Sequence, residues 1–206
     1  DFAGDKLAYI NTDTGERVHV EVFVGTMPFS DFTFATAVPT QQVEDFAYAL
    51  RMCLESLGGV PRVVIPDNLK SAVITASRWT PKLNKTLVDM GNHYGFITLP
   101  ARVGKPKDKA PVESDVNRVY QRVYAKLRNR VFYSLFELNH AIADLVDARN
   151  QTRMQEHPYT REERFHAMER GCLLPLPEHI YEVKYTSTVM VSPEGEVKLS
   201  EDKHYY

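Results

Sequence analysis

The order in which strand-type and helix-type patterns follow one another constrains the fold most strongly. Three runs rich in β-branched and aromatic residues come first, around Leu7–Asn11, Val18–Val24 and Phe32–Ala37. The links between them are short and turn-like, which favours an antiparallel meander. Helical and strand patterns then alternate and give the order β-β-β-α-β-α-β-α-α. This order predicts an α/β fold with a mixed sheet.

Apolar residues at helical spacing predict four helices after the meander. The first begins near Gln42 and ends at Gly58-Gly59, and the approximate bounds of the others are Pro81–His93, Pro111–Asn129 and Leu135–Asn150. Short strand-type runs, RVVI and FITL, follow the first and second helices. A strand, a helix and a further strand in succession indicate a parallel crossover.

The charge of the chain is unevenly distributed, although its formal net charge is only −2. Residues 61–130 contain 14 Lys or Arg and 5 Asp or Glu, whereas residues 1–60 contain 3 and 9. A basic middle third in a mildly acidic protein is typical of a surface that meets polyanions, although scattered solvated charge gives the same count. The cations concerned are Lys105, Lys107 and Lys109 in a loop, then Arg118, Arg122 and Lys126 at four-residue spacing on one face of the third helix.

Several other classes of protein have no support in the sequence. Cys53 and Cys172 lie far apart, which argues against a zinc site or a disulfide framework and fits a reducing cytoplasm. No apolar run approaches the roughly 20 residues of a membrane span. Neither a P-loop nor a GxSxG motif is present, so ATP hydrolysis and serine hydrolysis are not indicated.

Three acidic residues fall where α/β proteins place their chemistry, at strand ends and helix starts. Asp1 precedes the first strand region, Asp67 follows the RVVI run, and Glu113 opens the third helix. Carboxylates at such positions can hold Mg²⁺, which prefers oxygen ligands. Each acid also has a structural alternative: a solvated terminus for Asp1, a turn or helix cap for Asp67, and a partner of the helix dipole for Glu113.

Five stretches of sequence carry a family resemblance: DFAGDKL, GGVPRVVIPDNLKSAV, HYGFITLPAR, KPKDKAPVESDVNRVY and LSEDKHYY. They resemble the catalytic domain of DDE transposases and retroviral-type integrases, and IstA-type bacterial transposases most of all. The resemblance covers nearly the whole chain. It implies a ribonuclease-H-like fold, in which three antiparallel strands and then two parallel strands form a mixed sheet flanked by helices.

The resemblance also implies which residues act and what they do. Asp1, Asp67 and Glu113 match the three catalytic carboxylates and metal ligands of the family, with Asp5 as an alternative to Asp1. They would hold Mg²⁺, with two ions expected and Mn²⁺ as a substitute. Asn68 would support Asp67 or simply close a turn. The loop lysines and the helix ladder described above would contact DNA phosphates.

The expected activity is that of a polynucleotidyl transferase that cleaves transposon ends and joins the 3′-OH to target DNA. The alternatives are a ribonuclease-H-like nuclease that cuts without joining, and a non-catalytic DNA-binding or assembly module. The resemblance implies a homo-oligomer and an AAA+ helper ATPase as partners, in the bacterial cytoplasm at the nucleoid. Residues 1–175 are expected to form the catalytic domain, and residues 176–206 a linker and the beginning of a small β module.

Overall fold

The computed structural model of the chain describes residue 2 and residues 6–66, 73–75, 82–99, 122–155 and 157–183. Its first part is an antiparallel sheet of strands β1 (Leu7–Ile10), β2 (Arg17–Thr26) and β3 (Thr33–Val38), in that spatial order. Leu7 pairs with Val20 on one side of β2, and Ala37 pairs with Val22 on the other. The predicted antiparallel meander is therefore confirmed.

Helix α1, Val43–Leu57, follows the meander and buries one side against it. Phe46, Leu50 and Leu54 lie on this side at helical spacing, and all three are buried. The helix ends where Gly58 adopts φ 68°, a left-handed conformation in which a side chain would be strained. The predicted helix and its glycine stop are both confirmed.

The next elements form a parallel unit with a short hairpin inserted in it. Strand β4 (Val63–Val64) leads to the hairpin of β5 (Val73–Thr75) and β6 (Lys82–Leu83), then to helix α2 (Lys85–Tyr94) and strand β7 (Ile97–Thr98). β4 and β7 pair in parallel, Val63 with Ile97, as the crossover pattern indicated. The hairpin was not predicted, because its strands are only three and two residues long.

The predicted start of the second helix at Pro81 is wrong. Helix α2 begins at Lys85, because Asn84 takes an extended conformation and its side chain accepts the N–H of Thr86 at 2.9 Å. An asparagine in this position caps a helix and separates it from the preceding chain. Lys82 and Leu83 belong to the hairpin instead.

Three further helices complete the described chain. A helical segment at residues 122–127, α3, is the described part of the third predicted helix. Helix α4, Leu135–Gln151, agrees with its predicted bounds within one residue. Helix α5, Arg161–Met168, was not predicted, and a 3-10 turn follows it at Arg170–Cys172. In the part of the chain that the structure describes, no helix combines the length and apolar composition that a membrane span requires.

The meander separates two hydrophobic cores, because alternate residues of its strands point to opposite faces. The α1-side core contains Phe23 and Val38 together with the buried residues of α1 and α2. The α4-side core contains Val22 and Val24 together with the buried residues of α3 and α4. Helices therefore cover both faces of the sheet, as expected of a ribonuclease-H-like domain.

The described residues after α5 pack back onto the α1-side core. Leu174 forms an isolated antiparallel bridge with Val60. Further along, the buried ring of Tyr181 lies in the α1-side core, and its hydroxyl donates to Asp89 at 3.1 Å. Residues 176–183, the described part of the predicted linker and β module of residues 176–206, thus contact the domain, while residues 184–206 lie outside the described residues.

Candidate functional site

Most of the predicted site residues lie outside the described residues, so the structure neither brings them together nor separates them. This applies to Asp1, Asp67, Glu113 and Asn68, and to the predicted DNA-binding residues Lys105, Lys107, Lys109 and Arg118. Arg122 and Lys126 are described. The assignment of the three carboxylates to a catalytic metal site stays a prediction.

The chain neighbours of two predicted carboxylates are buried in the domain. Phe2, which follows Asp1, forms an isolated antiparallel β-bridge with Phe23 of β2. The two ring centroids are 6.0 Å apart in an edge-to-face arrangement. Pro66, which precedes Asp67, is also buried. Phe2 and strand β4, through Val64, both belong to the α1-side core. Each of these two carboxylate positions is therefore adjacent in sequence to a buried residue.

Helix α3 presents the described part of the basic ladder to solvent. Arg122 and Lys126 are exposed and four residues apart, so they lie on the same side of the helix. Val123 and Leu127 point the other way and are buried in the α4-side core. The helix is thus held by its apolar side, while its cations face solvent, where an anion can reach them. Their role in DNA binding remains a prediction.

The cationic surface continues beyond the end of α3. Arg128 and Arg130 are exposed in the turn between α3 and α4. The guanidinium of Arg130 lies 5.0 Å from the ring centroid of Phe132, a cation–π contact that restrains the side chain. The charge of these two arginines also suits the C-terminal end of α3.

The buried or partly buried carboxylates that the structure describes have structural partners. Glu169 accepts the backbone N–H groups of Phe29 and Ser30 at 3.1 and 3.2 Å. Asp31 pairs with two arginines, and Glu21 pairs with Lys6 at 2.7 Å. Within residues 6–66, 82–99, 122–155 and 157–183, no group of three His, Cys, Asp or Glu is placed to hold a metal ion.

His93 lies in the last turn of α2, where its imidazole makes contacts within the protein. It is the penultimate residue of α2, and its Nε2 lies 2.8 Å from the carbonyl oxygen of His179. Its ring packs at 5.6 Å from the ring of Tyr181. The imidazole thus fastens the C-terminal segment to α2, which favours a structural role.

Relatives of the chain by sequence are transposases. No protein-family model matches the chain. A protein named as the putative transposase for insertion sequence IS408 of Burkholderia multivorans is 39% identical over 206 residues, which are all of this chain and 39% of the relative. The transposase of insertion sequence element IS21 from Pseudomonas aeruginosa is 27% identical over 194 residues, 92% of this chain and 48% of the relative.

Over its full length the chain is similar to insertion-sequence transposases. It spans about two fifths of the length of the first curated relatives it matches. The activity, substrates and partners of the complete transposase are therefore matters for proposal.

Solved structures agree on the fold. The catalytic core domain of BIV integrase superimposes with a TM-score of 0.56 at 13% identity, covering 83% of this chain and 96% of that one. A chain of the simian T-cell lymphotropic virus intasome, solved in complex with PP2A regulatory subunit B56 gamma, also gives 0.56 at 15% identity, covering 90% of this chain and 59% of that one. The fold of this chain is thus that of an integrase catalytic core, and the predicted ribonuclease-H-like fold is confirmed.

Proposed function

We propose that the chain is the catalytic domain of a DNA transposase, which cleaves DNA at transposon ends and joins the freed 3′-OH to target DNA. The observation that supports this most directly is the agreement of two independent comparisons. Transposase relatives match the chain over its full length, and the fold is that of an integrase catalytic core. The exposed cations of α3 fit a polyanionic substrate.

The two reactions have the same form, which allows one site to serve both. In cleavage, a water oxygen attacks the phosphorus at the transposon end, the P–O bond to the 3′ oxygen breaks, and that oxygen leaves as the 3′-OH. In joining, this 3′-OH attacks a target phosphodiester and displaces another 3′ oxygen. Both steps are in-line displacements in which one P–O bond forms as another breaks, so neither needs an external energy source.

Each group of residues has a separate role in this proposal. Asp1, Asp67 and Glu113 would hold Mg²⁺, with Mn²⁺ as a substitute, and Asn68 would support Asp67. When bound, a pair of such ions supplies electrostatic stabilisation of the attacking and leaving oxygens. The cations of the lysine loop and of α3 would neutralise phosphates and hold the DNA in register.

Glu113→Gln tests the catalytic assignment in the full-length protein with labelled end DNA. The change keeps size and hydrogen bonding but removes the charge that balances a cation. We expect cleavage and strand transfer to be abolished, DNA binding to be retained, and stabilisation of the protein by Mg²⁺ against thermal unfolding to be much reduced. Glu178→Gln, which removes one exposed carboxylate elsewhere, is the matched control.

Three results would each contradict a different part of the proposal. Substantial strand transfer by Glu113→Gln removes Glu113 from the site and makes Asp115 the next residue to test. Cleavage by the unmodified protein without joining of a pre-cut end identifies a nuclease. A calorimetric titration with Mn²⁺ that detects no site, together with no cleavage, identifies a non-catalytic DNA-binding or assembly module.

DNA binding by the basic surface can be measured separately from chemistry. Replacing Lys107, Lys109, Arg118 and Arg122 by alanine should weaken binding similarly for all sequences. The slope of log K against log salt concentration should fall in magnitude by about 0.9 for each phosphate that the variant no longer neutralises. The matched control replaces the exposed cation of Arg153. If the slope of log K against log salt concentration is unchanged in the quadruple variant, the DNA binds to another face of the protein.

The further partners and the domain boundary are also proposals. We infer that the protein acts as a homo-oligomer at the nucleoid, together with an AAA+ helper ATPase, and that the domain of residues 1–175 is followed by a linker and the beginning of a small β module in residues 176–206. Because Tyr181 is buried in the α1-side core, a truncation that tests the boundary has to end at Val183. We expect that truncated protein to melt cooperatively, and aggregation would show that the tail is integral.

A further inference from the structure

Large apolar side chains are exposed next to the cations at the end of α3. We call residues 128–137, the turn between α3 and α4 together with the first residues of α4, the α3–α4 corner. Its exposed apolar members are Val131, Tyr133 and Phe136, with 57%, 56% and 80% of their surface accessible. Single exposed apolar residues are normal on protein surfaces. Three exposed apolar residues within six positions, two of them aromatic, concentrate apolar surface at one place, which is typical of a binding site.

Packing and hydrogen bonds hold the backbone of the corner in place, so the rings are not exposed merely because the segment lacks support. Phe132 is buried in the α4-side core, and its carbonyl oxygen accepts the N–H of Ile10 at 2.7 Å. Ser134 caps α4 by accepting the N–H of Glu137 at 3.0 Å, and Glu137 accepts the N–H of Tyr133 at 2.8 Å. Tyr133 and Phe136 therefore project from a rigid support, and binding to them costs little ordering entropy.

The charge around the rings favours an anionic ligand. Arg128 and Arg130 are exposed within the corner, and the exposed cations of α3 adjoin it. The described residues offer none of these four cations an ion pair. Glu137 is the acidic residue of the corner, and its carboxylate is already engaged by the N–H of Tyr133. The β1–β2 turn, next in the chain to Ile10, carries Asp13 and Glu16, so the excess of positive charge lies toward α3.

Exposed aromatic rings flanked by cations are the arrangement that binds unpaired nucleotides. Each base has a flat face that stacks on an aromatic side chain, which contributes about 1–3 kcal/mol per base, while the cations neutralise the adjoining phosphates. In a paired duplex the base faces are covered by their neighbours, so a duplex could use the arginines but not the rings. A purely apolar protein partner would leave the arginines without a counter-charge.

We propose that the α3–α4 corner binds unpaired nucleotides of the DNA, with Tyr133 and Phe136 stacking on bases and Arg128 and Arg130 contacting the phosphates beside them. The proposal rests on the proposed function in taking DNA as the ligand. It adds residues other than the predicted metal ligands, together with a requirement for single-stranded character. Stacking tolerates all four bases, so the site would recognise DNA structure rather than sequence.

The test measures binding of the full-length protein to two labelled DNA molecules, a fully paired duplex and the same duplex with a five-nucleotide single-stranded overhang. We expect Phe136→Ala to weaken binding of the overhang DNA by about fivefold to a hundredfold, the equivalent of removing one stacked base, and to leave duplex binding unchanged. Phe136→Leu, which stays apolar but cannot stack, should behave like the alanine variant, whereas Phe136→Trp should restore binding. Met168→Ala, at another exposed apolar side chain, is the control.

Other outcomes would overturn the proposal. Equal weakening for both DNA molecules would make the corner a general duplex contact, and no weakening for either would remove DNA from the corner. Full binding by Phe136→Leu would exclude stacking. A change in the sedimentation of Phe136→Ala without DNA, with overhang binding intact, would identify an interface between protein chains. Because these measurements detect binding alone, they stand apart from the cleavage and joining assays that test the proposed function.

Discussion

Asp31→Asn is the substitution that should reveal most about how the domain is held together. Asp31 lies in the turn between β2 and β3 with φ 61°, a left-handed conformation that Asp and Asn tolerate well. Its Oδ2 accepts hydrogen bonds from Arg149 at 2.9 Å and from Arg161 at 3.0 Å. The arginine side chains are only 5% and 13% exposed, so one carboxylate neutralises two nearly buried guanidinium groups. The turn is thereby fastened to α4 and α5.

The expected loss of unfolding free energy depends on which hydrogen bonds asparagine preserves. Its side-chain oxygen can replace Oδ2 as the acceptor, and its amide can take the position of Oδ1, which is buried without a hydrogen-bond partner among the described residues. Removing one partner of a buried ion pair costs about 3–5 kcal/mol. Because the hydrogen bonds survive, we expect a loss of about 2–3 kcal/mol for Asp31→Asn. Asp31→Ala removes the acceptor as well and should cost the full amount.

Thermal and urea denaturation measure this loss directly. For a protein of this size, about 2–3 kcal/mol corresponds to a decrease in Tm of roughly 4–12 °C. Asp13→Asn, at an exposed position in the β1–β2 turn, is the matched control and should change the Tm by less than a degree or two, in keeping with the small effects of most surface substitutions. If Asp31→Asn behaves like this control, the two arginines do not depend on Asp31 for their counter-charge, and the argument fails.

Three further predictions concern β2 and the cysteines. Gly25→Ala should destabilise by about 1–3 kcal/mol, because the new Cβ would lie 2.7 Å from the Sγ of Cys53, and Cys53→Ala should relieve part of this loss in the double variant. Burial raises the pKa of Cys53 to about 12, whereas Cys172 is exposed. A thiol reagent should therefore modify Cys172 in the native protein and Cys53 only on unfolding. Rapid modification of both cysteines in the native protein would contradict this. Burial raises the pKa of Glu21, but the hydrogen bond and charge of Lys6 help to hold the net pKa below 4.5. Glu21→Gln should therefore lower the free energy of unfolding above that pH, and the difference between the two proteins should vanish as the pH falls through the lowered pKa. A difference that does not change with pH would exclude this linkage.

The elements with local signals were predictable from the sequence. The meander and α1 follow from alternation, helical spacing and the glycine stop at Gly58, all of which concern residues close together in the chain. Helix α5 also has a local signal, the capping box of Thr160 and Glu163, but a helix of eight residues shows too little apolar periodicity to be recognised. The hairpin of β5 and β6 is shorter still and has no alternation to detect.

Long-range partners were not predictable. The arginines that bind Asp31 are 118 and 130 residues away in sequence, and the N–H groups that Glu169 accepts are 140 and 139 residues away. No single-sequence pattern specifies such pairs, because each member alone resembles an ordinary surface charge. The site residues posed the same difficulty. Their positions at strand ends and a helix start drew attention to Asp1, Asp67 and Glu113, but each also had a structural alternative, and only the resemblance of the surrounding motifs to those of a family favoured a joint role.

The buried acids also bear on how far the domain extends. Asp31 and Glu169 both join the β2–β3 turn to elements at residues 149–169, and Leu174 and Tyr181 then return to the α1-side core. A domain cut before α5 would lose the buried ring of Phe165, which stacks on Phe32 with ring centroids 4.5 Å apart, and would also lose the contacts of Arg161 and Glu169 with the β2–β3 turn. The segment following α4 is therefore part of the structural unit that supports the sheet. Phe2, next to Asp1, bridges to this sheet, and Pro66, next to Asp67, lies two residues after β4. Under the proposed function, a fragment lacking the segment after α4 should therefore lose activity along with its stability.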